Sequence, residues 1–310
     1  MSTSAVTDAE ANIPSESFRI RIILAFFAVY VLWGTTFLAI RIAVAELPPL
    51  FAAGVRFFLA GVVLFMFVRF RGHSKPTAAQ WRNLAIMSLL MFVAEYGPLF
   101  WAEKYVASGI VSVLAATIPI ITMILETLIL REMRMRPMLV AACLLGFLGV
   151  VVLLLPNGEQ HLPLVPSLAI LAGASSWSLG SVLTRSMDLP KSRPLTSGAA
   201  MMLGGGALLA LSAAFGELRP LPHVSARTGF ALLYLIVCGS LLGFTAFVWL
   251  LAHMPATRVA SHAYVNPIVA IALGWFAAGE AITLRTLAGT ALVLISVFLI
   301  LRRDQYRKPI

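Results

Sequence analysis

The sequence predicts an all-α membrane protein, with ten transmembrane helices arranged as two inverted five-helix repeats. Three observations carry this expectation. First, 60% of the 310 residues are apolar and 12% are charged, whereas an average soluble domain carries roughly 25% charged residues. A 33.4 kDa chain with a mean hydropathy of +0.93 lacks the charge to cover a water-facing globule, so its surplus apolar surface needs lipid. Second, the chain divides into ten apolar segments. Each is near the ~20 residues that a helix needs to cross about 30 Å of hydrocarbon. Third, the basic residues alternate between connections in step with those segments.

Taken in order, the expected spans are 22–44, 48–70, 83–105, 108–130, 137–155, 165–187, 195–215, 229–252, 257–278 and 283–301. Residues 1–17 (MSTSAVTDAEANIPSES) are polar and acidic and are expected to be a disordered cytoplasmic tail. No basic region precedes the first apolar run, and that run is too long for the core of a signal peptide. Spans 1–5 form a first unit over residues 18–155. Spans 6–10 form a second unit over residues 156–301, and 302–310 is a basic cytoplasmic tail. The connections are too short to hold a soluble domain.

The charges set the orientation. With the N-terminus in the cytoplasm, 17 of the 23 Lys and Arg lie in inner tails and connections. Five lie outside (Arg41, Lys104, Arg219, Arg227 and Arg285), and Arg56 lies within a span. A wrong span count would scramble this bias, so it supports ten spans with both termini inside. The formal charge of +10 is thereby topological and calls for no nucleic-acid partner. Cys143 and Cys238 fall inside apolar runs and read as small buried hydrophobes.

The second half echoes the first. Trp33 and Arg41 stand eight residues apart in span 1, as do Trp177 and Arg185 in span 6. Pro49-Leu50, Gly61 and Leu64 match Pro194-Leu195, Gly206 and Leu209. At one common offset of 148, Trp101 matches Trp249, Pro119 matches Pro267 and Glu132 matches Glu280. Each unit has an odd number of spans, so the second copy must enter the membrane from the opposite side. Inverted repeats are widespread among secondary transporters, with the substrate near the midplane between them.

Other function classes fit less well. The aspartates, Asp8, Asp188 and Asp304, all lie outside the spans, which disfavours an intramembrane aspartyl protease. The chain has no H-E-x-x-H zinc motif, no G-x-S-x-G elbow and no P-loop, so no catalytic residue, metal or cofactor is expected. A channel-like facilitator is the remaining rival, but nothing resembles a selectivity filter or a charged ring.

Several stretches carry a family resemblance. Span 1 reads WGTTFLAIRIAV (33–44), followed by PPLFAAGVRFFLAG (48–61). Span 4 reads ASGIVSVLAATIPI (107–120), and span 6 holds SSWSLGSVLTR (175–185). The most specific stretch is PATRVASHAYVNPIVAIALGWFAAGE (255–280) in span 9. Together they resemble the ten-span EamA-type branch of the drug/metabolite transporter superfamily, close to bacterial inner-membrane exporters, over residues 22–301. The resemblance implies export of small molecules, often amino acids, metabolites or toxic amphiphiles. The chain departs from the pattern at His262, where an aromatic is commoner.

Depth along each span nominates the site residues. Trp33 and Trp177 lie about 16 and 18 Å into their helices, near the midplane, and read either as cavity walls or as interhelix packing. Glu95 lies about 18 Å into span 3 and Arg56 about 12 Å into span 2. Ionisable residues at this depth are costly and are functional candidates by default. The structural alternative is an Arg56–Glu95 ion pair. Tyr96 is a further candidate beside Glu95. Glu126, near the end of span 4, is expected to pair with Arg131 or Arg134 at the interface. His262 and Asn266 share a face of span 9 at i, i+4. With Tyr264 they add polarity, and an imidazole at His262 titrates near neutrality. Pro119 and Pro267, matched between the halves, are expected to kink their helices and act as hinges. The expected partners are a small-molecule substrate and the lipid bilayer, with protons as a candidate coupling ion. The sequence specifies no oligomeric state. The mechanism these residues suggest is alternating access around a central cavity.

Overall fold

The structure, a computed structural model, describes residues 16–106, 111, 114–130, 136–154, 163–217, 224–278 and 283–301. The described residues form helices joined by turns and short irregular segments, with no strand among them. Six helices are long and apolar enough to cross a membrane: α1 (Glu16–Glu46), α2 (Pro49–Phe70), α3 (Ala78–Ala102), α6 (Leu164–Ser186), α7 (Arg193–Ala214) and α8 (Ala226–Leu251). Between and after them lie shorter apolar elements. These are α4 (Ile118–Leu130), α5 (Pro137–Leu154), the single turn α9 (Ala256–Ala260), α10 (His262–Ala278) and α11 (Leu284–Leu301).

Several expectations fall outside the described residues. They are most of the N-terminal tail, the basic tail 302–310, Arg131, Arg134, Arg219, the Glu132–Glu280 match and much of 107–113. The helix that carries span 1 starts at Glu16, earlier than the polar tail was expected to end. Ser15 and Pro14 precede it, and Glu16 places an acid in its first turn, where the helix dipole favours one.

The outward faces are apolar. Ile23, Phe67, Phe70, Phe230 and Phe298 are each more than half exposed, which is how helices present themselves to lipid rather than to water. Polar side chains turn inward: Ser178, Thr196, Ser197, Ser212, Ser240 and Thr257 are fully buried. Many return a hydrogen bond to their own helix, as Ser178 Oγ does to Ala174 O (2.8 Å) and Thr184 Oγ1 to Gly180 O (2.7 Å). Such i−4 bonds satisfy a hydroxyl where no water is present.

Helix pairing follows an exchange pattern. α2 packs most extensively on α7, and α5 on α11. α1 meets α8 while α3 meets α6, and α1 meets α10 while α4 meets α6. If the expected spans are numbered 1–10, these contacts come in pairs: one between span i and span j+5 has a counterpart between span j and span i+5. The α2–α7 seam depends on glycine. A Cβ on Gly61 would come within 2.2 Å of the Met202 backbone nitrogen, and one on Gly205 within 2.2 Å of the Phe58 nitrogen. Small residues that admit backbone contact are how membrane helices gain packing energy. Gly205→Ala is therefore expected to cost about 1–3 kcal/mol by forcing the helices apart. A lower melting temperature in detergent checks this. Gly206→Ala, whose added methyl would meet the Phe58 ring at an ordinary 3.7 Å, is the control expected to melt with the wild type.

Four spans contain wide π-helical turns: Ala28–Leu32 in α1, Leu89–Val93 in α3, Leu235–Phe244 in α8 and Glu126–Leu130 in α4. The second and third coincide at the 148-residue offset of the sequence repeat. Such turns shift the face that follows them and cluster at functional sites. Here they precede Trp33 and Glu95 and include Gly239 and Ser240.

Candidate functional site

The π turn in α1 delivers Trp33 into the bundle, where its indole Nε1 donates to Gly239 O on α8 (2.9 Å). From there α1 presents Thr36, Phe37 and Ile40 on one face, at the i+3, i+4 and i+7 spacing of a helix stripe. α3 contributes Glu95, Tyr96 and Leu99, and α6 contributes Trp177. α10 adds His262, Ala263, Asn266 and Pro267, and Ala115 and Ile118 complete the wall. These residues enclose a cavity of about 50 Å³, room for a few waters and below the roughly 300–1,000 Å³ of small-molecule sites, so a metabolite enters only when the wall opens.

Aromatic rings form one end of this cavity. Trp33 meets Trp177 edge-on with centroids 5.5 Å apart, and meets His262 edge-on at 4.9 Å. Phe247 lies beneath all three, at 5.1 Å from Trp33, 4.9 Å from Trp177 and 5.9 Å from His262. Tyr96 meets Trp177 at 5.9 Å. Offset and edge-on pairs of this kind fix ring orientation as well as burying area.

Glu95 brings charge to that aromatic chamber. It is 8% exposed, and its Oε2 has no hydrogen-bond partner. The carboxylate lies against Gly173 of α6, where a Cβ would approach Oε2 to 2.6 Å. Gly173 thus makes room for the acid. His262 Nε2 is likewise buried without a partner. In the amide orientation its neighbours require, Asn266 donates to the carbonyls of His262 (3.0 Å) and Tyr30 (3.2 Å). Among the described lining residues there is no Lys or Arg.

Arg56 does not pair with Glu95. Its Nε donates to Ser240 Oγ (2.9 Å), and its guanidinium stands over the rings of Phe57 (4.6 Å) and Tyr96 (5.3 Å). It is 1% exposed and absent from the cavity wall. The reason is local. Arg56 faces α8 at Gly239, whose missing side chain admits the guanidinium, while Tyr96 stands between it and the cavity.

Tyr264 also leaves the site. It is fully buried in a separate core formed with α4, α5 and α11, and its hydroxyl donates to Cys143 O (2.7 Å). Two residues beyond His262 on a helix is a turn of about 200°, so the faces of 262 and 266 on one side and 264 on the other are opposed.

Pro267 lies inside α10 as expected. Pro119 instead sits in the first turn of α4, where a missing N–H costs nothing. The discontinuity there is a turn at residues 116–117, not a kink within a continuous helix.

Glu126 is buried within the bundle rather than exposed. It is fully buried and accepts hydrogen bonds from Ala256 N (2.8 Å), Thr257 N (3.0 Å) and Thr257 Oγ1 (2.7 Å). Its Oε1 lies 3.6 Å from Arg185 Nε, and Arg185 also donates to the carbonyls of Leu251 (3.4 Å) and Met254. Sequence depth missed this cluster and missed Phe247. The stripe at 33, 36/37 and 40 was the available signal for the remaining wall.

Comparison with known proteins places this architecture. The family model described as "EamA-like transporter family" matches residues 20–155 and again 165–302. The chain is 33% identical over 282 residues to "Uncharacterized inner membrane transporter YedA" of Escherichia coli strain K12, covering 89% of each chain. It is 26% identical to "Probable amino-acid metabolite efflux pump" of Salmonella typhimurium strain LT2, covering 87% of this chain and 91% of that one. A solved crystal structure at 22% identity superposes with a TM-score of 0.73 over 90% of this chain and 96% of the other, which shows a common fold. With two matching family segments and these relatives, the chain belongs to the EamA-like transporter family.

Proposed function

We propose that this protein is a secondary transporter that exports small organic metabolites across a bacterial inner membrane by alternating access. Its substrates are amino acids and amine-containing or amphiphilic compounds. The observation that carries this reading is the cavity, which joins aromatic faces from Trp33, Tyr96 and Trp177 to a buried carboxylate at Glu95 with an unpartnered oxygen. Aromatic faces and a carboxylate attract ammonium groups and apolar bodies together.

The ten-span topology, with inverted repeats over 18–155 and 156–301 and both termini in the cytoplasm, is supported from two sides. The Lys and Arg bias favours it, and the exchange pattern of helix contacts is what a two-fold relation between the repeats would require. The relatives named as an inner membrane transporter and an efflux pump support the location and the direction. Protons are the proposed coupling ion, with Glu95 and His262 as the groups on the cavity able to take one.

The test is a counterflow screen in proteoliposomes, with and without a pH gradient, over amino acids and cationic amphiphiles. Accumulation of at least one compound is expected, and failure of every compound removes the substrate class. His262→Phe keeps the ring contacts with Trp33 and Phe247. If His262 carries the proton, this variant is expected to keep transport down a substrate gradient and to lose its acceleration by a pH gradient. An unchanged pH response assigns His262 to packing alone.

A further inference from the structure

The two ends of the bundle carry matching arginines in opposite situations. Arg185 stands eight residues after Trp177, and Arg41 eight residues after Trp33. At the Arg185 end the polar groups are engaged. Arg185 holds the carbonyls of Leu251 and Met254 and lies beside Glu126, and Glu126 holds the backbone N–H groups of Ala256 and Thr257. α4, α6, the end of α8 and the start of α9 are tied there, below the Phe247 floor.

At the other end Glu46 accepts from Ser225 N and Oγ and Glu217 accepts from Phe51 N, which ties α1 to α8 and α2 to α7, but the position that matches the Arg185 cluster is not tied. At the 148-residue offset, the counterpart of the 251–257 segment begins at Glu103. Glu103 is 3% exposed, yet neither of its carboxylate oxygens has a hydrogen-bond partner. Arg41 is exposed and acts on Glu103 electrostatically, but forms no ion pair with it. The cavity extends toward this end. Its wall runs from Trp33 to Ile40, next to Arg41, and from Glu95 to Leu99, one turn before Glu103. A buried carboxylate left without a partner is costly, and here a cation is close at hand.

We propose that Arg41 and Glu103 are the gate pair of the open end. They close on each other when the Arg185–Glu126 tie opens, so that the cavity is sealed at one end at a time. This rests on the transporter reading for its purpose, but the pairing can be tested without a substrate.

The full chain is used in lipid vesicles, with Cys143 and Cys238 replaced by serine so that introduced thiols report alone. In Arg41→Cys/Glu103→Cys, crosslinking by a short bifunctional thiol reagent is expected to rise at least about threefold when Glu126→Gln is added, because weakening one closed state shifts the population to the other. Labelling of Thr36→Cys by a membrane-impermeant maleimide falls in parallel. Arg185→Gln breaks the same tie from its other side and must act alike, which covers the case that one variant does not fold. Crosslinking and labelling that do not change in folded variants overturn the proposal.

In transport, Arg41→Glu and Glu103→Arg are each expected to lower flux at least about tenfold, and their combination to recover it to within about threefold of wild type, as coupled charges do in a double-mutant cycle. A combination no better than the single changes also overturns the pairing. Absence of transport by the wild type would count against the transporter reading alone and leave the crosslinking result standing.

Discussion

Glu95→Gln is expected to lower the transport of cationic amines about ten- to a hundredfold, since a contact to a charged group is worth roughly 1.5–3 kcal/mol. The change keeps the shape of the side chain and its seat against Gly173, so packing is preserved while the charge is lost. Two further readings separate binding from folding. The variant is expected to melt in detergent no lower than the wild type, because it removes a buried carboxylate whose Oε2 has no partner. Neutral apolar compounds that use only the aromatic walls are expected to lose less than threefold, a change of roughly 0.6 kcal/mol. Equal loss for neutral and cationic compounds would assign Glu95 a role in the transport cycle itself. No loss for either would remove it from the mechanism.

Trp33→Ala has the largest expected effect on stability. The indole touches Trp177, Phe247 and His262 and donates to Gly239 O. Truncation removes those contacts and leaves a void where α1, α6, α8 and α10 converge, at a cost of about 3–5 kcal/mol. Trp33→Phe restores most of the ring contact without the N–H and is expected to recover most of the melting temperature. The remaining difference measures the hydrogen bond across to α8, of order 1 kcal/mol. If Trp33→Ala melts within a degree of the wild type, the ring is not a keystone of the cavity wall.

Some of the site was visible in the sequence because depth is a one-dimensional quantity. Trp33, Glu95 and Trp177 were selected by distance along a span, and His262 and Asn266 by a shared helix face; the structure brings all five to one cavity. Tyr96 and Pro267 line it as well. Arg56 has the right depth and the wrong direction: it turns to Ser240 behind Tyr96. Tyr264 is near the right depth on the opposite face of α10 and belongs to a second core. Glu126 was expected to pair with Arg131 or Arg134, which lie outside the described residues; the partners that are described, Arg185, Ala256 and Thr257, are distant along the chain.

The sequence by itself determined the solvent, the helical class and the family. Scarce charge excludes a water-facing globule, and long apolar runs can satisfy their backbone in lipid only as helices. The paired motifs at eight-residue spacing and at the 148-residue offset mark two related halves, matched in turn by the two family segments. Tertiary structure alone decided which face of each helix points inward. A helix that is apolar all round carries no amphipathic stripe to announce its buried side. Which polar groups meet is therefore settled by backbone approach at glycines such as Gly173, Gly205 and Gly239, and by π turns that shift the face after them. For that reason the Arg185–Glu126 tie and the unpaired Glu103 could be read only from the assembled bundle.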